Sequence, residues 1–304
     1  MISVIASHQI LALRRQRVFM SLLALMVTMT ALAGVLGWSS HRTIVGVYDQ
    51  ATVLLARRGK PAPANPFTLK PALSLLSNMV IYVPLIGALL ALVLGHLSIA
   101  DEEASGVGRL VFSRPVGRRT YLAGKLAAAA IVLGALMVVS VIVGVASLWI
   151  VNGAVPSGAQ FGRVVAFYAV AWLYLMVFAV VGMVTMLLGR RRPLALMSAV
   201  GVWLVVTFVA PQFTSGLRPV ASLNPIVDQV STPQGFFRIT AHARSASIVE
   251  QYKNLSAQLL ETAPAEPVGH TLARLIPLAL ALVLVAITAL AAIGRHDFSR
   301  GVQP

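Results

Sequence analysis

The sequence has no cysteine and little charge. With no thiol anywhere in 304 residues, disulfides, thiolate metal sites and cysteine nucleophiles are excluded. Charged residues make up 11% of the chain and apolar ones 58%, whereas a soluble domain carries roughly a quarter charged residues. Mean hydropathy is +0.85. So few polar groups cannot cover a folded surface in water, and lipid must cover the remainder. Acids are scarcest of all, nine against 24 lysines and arginines, for a net charge of +15. The basic residues are scattered between apolar runs, and no nucleic-acid-binding motif accompanies them. They read as topology determinants and partners of anionic lipid headgroups, with no nucleic-acid partner expected.

Catalytic motifs are missing too. There is no G-x-S-x-G and no H-E-x-x-H. A phosphate loop needs G-x-x-x-x-G-K-[ST]; the nearest fragment, Gly124-Lys125-Leu126, has Arg119 where the first glycine belongs. The six histidines show no pair at ligand spacing, although His41, His242 and His270 fall in loops expected on one face. The ten methionines mostly fill apolar runs. No catalytic, metal or cofactor-binding residue is expected, so the chain is not read as an enzyme by itself.

What is present is a series of long apolar runs. A bilayer crossing takes about 20 helical residues, and about six runs qualify, near 18–38, 74–99, 123–151, 164–188, 194–213 and 272–293. They are too long and too uniform for barrel strands, which alternate in polarity. The expected fold class is all-α integral membrane, with residues 1–304 as a single transmembrane domain. Arg14, Arg15 and Arg17 precede the first run and small residues follow near Ala31 and Ala33, as in a signal peptide. The run is longer than a signal core and five others follow it, so it reads as an uncleaved helix. All nine acids fall outside these runs, which argues against ion-coupled transport. His96, near one end of the second run, reads as an interface residue. Gly134, Gly144 and Gly182 are candidates for close helix packing.

Basic residues in short loops set orientation. Arg190, Arg191 and Arg192 occupy the tightest loop, and Arg109, Arg114, Arg118, Arg119 and Lys125 the loop between the second and third runs. With the N-terminal arginines and with Arg295 and Arg300, they place both termini in the cytoplasm of a bacterial inner-membrane protein. Two outer loops then follow. Residues 39–72 contain Pro61, Pro63 and Pro66, so part is expected to be extended. Within 214–271, Ile248, Tyr252, Leu255 and Leu259 recur at helical spacing, with Glu250, Lys253 and Gln258 elsewhere on the wheel. That pattern predicts an amphipathic helix on the outer membrane boundary or against the bundle.

The most specific stretch is 101–125. Asp101, Glu102 and Glu103 suit a helix N-terminus. Val107, Leu110 and Val111, at i, i+3 and i+4, form one apolar edge, and Pro115 stops the helix. Such a segment is either an interfacial turn under the bundle or a docking knob for a partner's groove. Its pattern, acidic–Ser105-Gly106-x-x-Arg109-Leu110-x-x-Ser113-Arg114-Pro115-Val116 through Gly124-Lys125, resembles the permeases of the ABC-2 type, and among them the NosY-like group linked to copper-enzyme maturation. The resemblance implies a type V exporter-like permease whose coupling helix lies in about 101–120. It implies two permease copies paired with two ATPase subunits that carry the ATP and magnesium. It assigns ATPase contact to Val107, Arg109, Leu110, Val111, Ser113 and Arg114, and positioning to Glu102 and Glu103. The expected function is the membrane subunit of an ATP-driven exporter. The alternative is a scaffold that passes ATPase motion to a periplasmic partner and carries no cargo.

Overall fold

The computed structural model describes residues 2–15, 18–61, 71–104, 116–189, 191–214, 242–263 and 267–296. Every regular element among them is helical. The helices are α1 (Ile2–Arg15), α2 (Val18–Arg57), α3 (Ala72–Glu103), α4 (Arg118–Asn152), α5 (Gly158–Leu188), α6 (Arg192–Thr214), α7 (Ile248–Leu259), α8 (Val268–Ala273) and α9 (Leu275–Arg295). Among the described residues, five helices are long and apolar enough to cross a membrane: α3, α4, α5, α6 and the segment Thr271–Arg295 that contains α9. The expected first crossing lies in α2, whose residues 18–38 carry no charge.

Local signals explain the helix ends. Ser157 and Gln160 form a reciprocal capping box at the start of α5. Gly153 ends α4 with a φ of 68°, a left-handed conformation that a side chain would oppose. Pro193 occupies the first turn of α6, where a missing N–H costs nothing. Two spans contain wide π turns, Val83–Gly87 in α3 and Val205–Val209 in α6.

The core is organised around α5, which packs against α3, α4, α6, α7 and α9. Its most apolar window is 67% buried, against 17% for α6 and 22% for the α9 span. The tightest crossing joins α3 to α5. A Cβ at Gly95 would lie 1.8 Å from the Ala179 carbonyl oxygen, and one at Gly182 would lie 2.1 Å from that of Leu92. The two backbones therefore touch, as small residues permit in membranes. Of the other glycine candidates, Gly144 faces the Tyr168 hydroxyl, and Gly134 has only the Trp172 indole within 4 Å.

Two expectations change, and one open alternative is decided. The loop expected to begin at residue 39 is helical to Arg57, because α2 meets no proline before Pro61. Residues 62–70, with Pro63 and Pro66, lie outside the described residues. His96 on α3 is buried with Nδ1 unpartnered; it does not face the interface. Of the two placements expected for the amphipathic helix, the structure has the second: α7 packs against the bundle. Arg163, near the start of α5, pairs with Glu261 just past the end of α7. The rings of Tyr174 and Tyr252 meet 4.8 Å apart. Tyr174 is about 24 Å along α5 from Gly158 at 1.5 Å per residue, so α7 penetrates among the spans. It brings in Glu250, which is buried beside Arg244 and Lys253 at 3.9 and 3.8 Å. A carboxylate thus reaches the interior from a polar segment, even though the apolar runs contain none.

Replacing Gly95 or Gly182 with alanine forces α3 and α5 apart. Each should cost roughly 1–3 kcal/mol, as overpacking does, read as a lowered melting temperature in detergent. Gly201→Ala, with nothing within 4 Å of the new methyl group, should leave stability unchanged or raise it.

Candidate functional site

One end of the bundle, here the basal end, gathers α1, the end of α3, the start of α4 and the ends of α5 and α9. Lys125, in the second turn of α4, is fully buried. Its ammonium has three donors and finds three acceptors: Gln9 Oε1 from α1, the Ser98 carbonyl at 2.8 Å and Glu102 Oε1, both from α3. The other oxygen of Glu102 accepts from the Tyr121 hydroxyl at 2.5 Å. A buried charge with every donor met is stable where an unpaired one is not.

A second tie lies beside it. His296, just past α9, contacts Glu103 Oε1 through Nε2 at 2.5 Å and the Leu187 carbonyl through Nδ1 at 2.8 Å. Both ring nitrogens thus meet oxygens, one from α3 and one from α5. A third tie runs from Arg118, whose Nη1 donates to the carbonyls of Gly294 at 2.5 Å and Ile293 at 3.4 Å. These carbonyls lie in the last turn of α9, where backbone acceptors lack intrahelical partners.

Asp101, Glu102 and Glu103 were expected to open a helix. They instead continue α3 from Ala88 onward. Lys125 and Tyr121 hold Glu102, and His296 holds Glu103. Of the candidate coupling residues, the structure places Glu102 and Glu103 in this clamp. Val107, Arg109, Leu110, Val111, Ser113 and Arg114 lie outside the described residues. The clamp brackets their segment, with Glu102 and Glu103 before it and Arg118, Tyr121 and Lys125 after it. Gln9, Tyr121 and His296 were not anticipated, and Lys125 was read as a loop charge. The available signal was Lys125 itself, a lone cation a short way into a long apolar run. No group of three or more histidines and acids suited to a metal occurs among the described residues.

Removing either member of the Lys125–Glu102 pair strands the other. Lys125→Met and Glu102→Gln should each destabilise by roughly 3–5 kcal/mol. The double variant should cost clearly less than the sum. Denaturant unfolding in detergent measures the cycle, and additive losses would contradict the pairing.

A family model described as ABC-2 family transporter protein matches residues 3–299. No curated protein matches the sequence. The family match runs from α1 past the end of α9, over both the clamp and the spans it fastens, and the chain therefore belongs to the ABC-2 family of transporter membrane proteins.

Proposed function

We propose that the chain is the permease subunit of an ATP-driven exporter of the NosY-like group, working as two copies with two ATP-binding subunits. The single observation that carries this reading is the bracketed segment 105–115. It lies in sequence between the clamped residues Glu102 and Glu103 of α3 and Arg118, Tyr121 and Lys125 of α4, so a push on it is passed to both helices. Its sequence offers an apolar edge at Val107, Leu110 and Val111 with Arg109, Ser113 and Arg114 around it, a pattern suited to a partner's groove. The ATP-binding subunit supplies the nucleotide and magnesium sites. Basic residues concentrate at the basal end, with Arg118, Arg119, Arg191, Arg192 and Arg295 near helix termini there. The positive-inside rule puts that end, and both termini, in the bacterial cytoplasm.

A second reading, a scaffold acting on a periplasmic partner, draws on α2. Gly37 packs against Leu75 at the distal start of α3, and α2 continues past that crossing to Arg57. At 40 residues it is about 60 Å long, twice the roughly 30 Å of bilayer hydrocarbon. Its far part exposes Val47, Val53 and Leu54. Stimulation of ATPase turnover in liposomes by cargo favours export; stimulation only by a periplasmic protein favours the scaffold.

The tagged chain, co-expressed with its neighbouring genes and purified in mild detergent, should retain a roughly equimolar ATP-binding subunit with measurable turnover. The Leu110→Asp, Arg114→Glu variant should lose at least about tenfold in subunit affinity, or 1.4 kcal/mol, with the melting temperature of the chain unchanged. Undiminished recovery of the ATPase would remove the docking role.

A further inference from the structure

Two bonds on opposite sides of residues 105–115 share a destination. Before them, Glu103 Oε1 of α3 meets His296 Nε2 at 2.5 Å. After them, Arg118 Nη1 of α4 donates to the Gly294 carbonyl at 2.5 Å and to that of Ile293 at 3.4 Å. Both bonds reach the last turn of α9 or the residue that follows it. The Lys125 cluster has a different role, tying α3 and α4 to each other and to α1. The base of α9 is thus held from two neighbouring helices at once. His296 Nδ1 also meets the Leu187 carbonyl at 2.8 Å. That third contact seats the joint on α5, so a pull on the other two tilts α9 about its base.

Beyond the joint, α9 acts as a strut. Its 21 residues span about 32 Å at 1.5 Å per residue, close to the roughly 30 Å of bilayer hydrocarbon. A tilt at the base therefore becomes a sideways shift at the far end. There Thr271 Oγ1 donates to Gln258 Oε1 of α7 at 3.2 Å, and α9 packs directly on α7. The same α7 also packs on α5, through the Arg163–Glu261 pair and the rings of Tyr174 and Tyr252. A shift of α9 against α5 has to be taken up at α7. The α9 span suits a moving part, with 22% of its most apolar window buried against 67% for α5.

We propose that Arg118 and His296 are positioning residues for ATP coupling: they fasten the base of α9 to the residues on both sides of the ATPase-docking segment, and α9 carries movement from there across the membrane to α7. This route rests on the permease reading and adds the path by which ATP binding reaches the distal end of the bundle.

Hydrogen exchange read by mass spectrometry tests the route on the complex with its ATP-binding subunit, with and without magnesium and a non-hydrolysable ATP analogue. In the parent complex, nucleotide should change exchange in 105–115, in the first turns of α9 and in α7 by at least about tenfold. The crossing of α3 and α5 at Gly95 and Gly182 should not change. The Arg118→Met, His296→Ala variant should keep the response of 105–115 and lose those of α9 and α7. Arg118→Lys, which still donates to a carbonyl, should keep all three. Thr271→Val, far from the joint, should keep the α9 response and weaken that of α7, and it decides the route even where the double variant does not assemble. Each response compares two nucleotide states of one protein, so a general loss of stability does not imitate it. An α7 response that is undiminished in the double variant or in Thr271→Val overturns the route and leaves the permease reading standing. So does a parent complex in which 105–115 responds and α7 does not. Absence of an ATP-binding subunit, or of any nucleotide response in 105–115, overturns the permease reading and the route with it.

Discussion

An ammonium with no exposure inside an apolar bundle tolerates few arrangements, and the basal end is built around the one that Lys125 allows. Its three donors take acceptors from α1 and α3 while its stem belongs to α4. Three helices are thereby fixed at a single point. The short first helix needs the tie most, since a helix of 14 residues is marginal alone. Gly124, next to Lys125, lets α1 approach closely enough: a Cβ there would lie 2.6 Å from Ile5 Cγ2. The same demand explains why an acid on α3, Glu102, sits in the apolar bundle, because an unpaired buried charge would cost far more.

Above the clamp the constraint changes from charge to volume. Along α5, side chains pack on five neighbouring helices, and at Gly95 and Gly182 the backbone itself is the contact surface. Hydrophobic driving force between helices is absent in lipid, so close van der Waals packing must hold them. That makes α3 and α5 a paired unit. By contrast α6 and α9 turn most of their apolar surface outward, as lipid-facing helices do.

The spans were legible because hydrocarbon thickness imposes a length and lipid forbids unpaired backbone. Their contacts were less legible. Glycine is frequent in membrane helices whether or not it marks a crossing, so Gly182 looked no different from Gly134. The apolar face of α7 pointed to either the membrane boundary or the bundle, and its polar residues kept the choice open. Glu250 and Gln251 argue for water on composition alone. The bundle answers Gln251 with the Arg244 carbonyl at 3.0 Å and Glu250 with Arg244 and Lys253, partners that sequence spacing only half reveals. In the clamp, Glu102 and Glu103 were found by motif, but their partners lie up to 193 residues away. A hydrogen bond over such a separation leaves no periodic trace. On sequence the acids suited a helix N-terminus, whereas they continue α3 and are held by Lys125, Tyr121 and His296.

The two ends of the bundle are joined by α9. Its final carbonyls take Arg118, and His296 just beyond it takes Glu103, so the basal clamp holds it on both sides of the 105–115 segment. Along its length it packs on α4 and α5, and it also contacts α7. In the proposed permease, a displacement of the bracketed segment would therefore act on α9 directly, and α9 meets the helix that closes over the distal interior. The paired unit of α3 and α5 resists deformation through its backbone contact, whereas α9 is mostly exposed and has fewer contacts to break. Motion should then follow the less buried helix, with α3 and α5 as the fixed frame against which α7 is drawn.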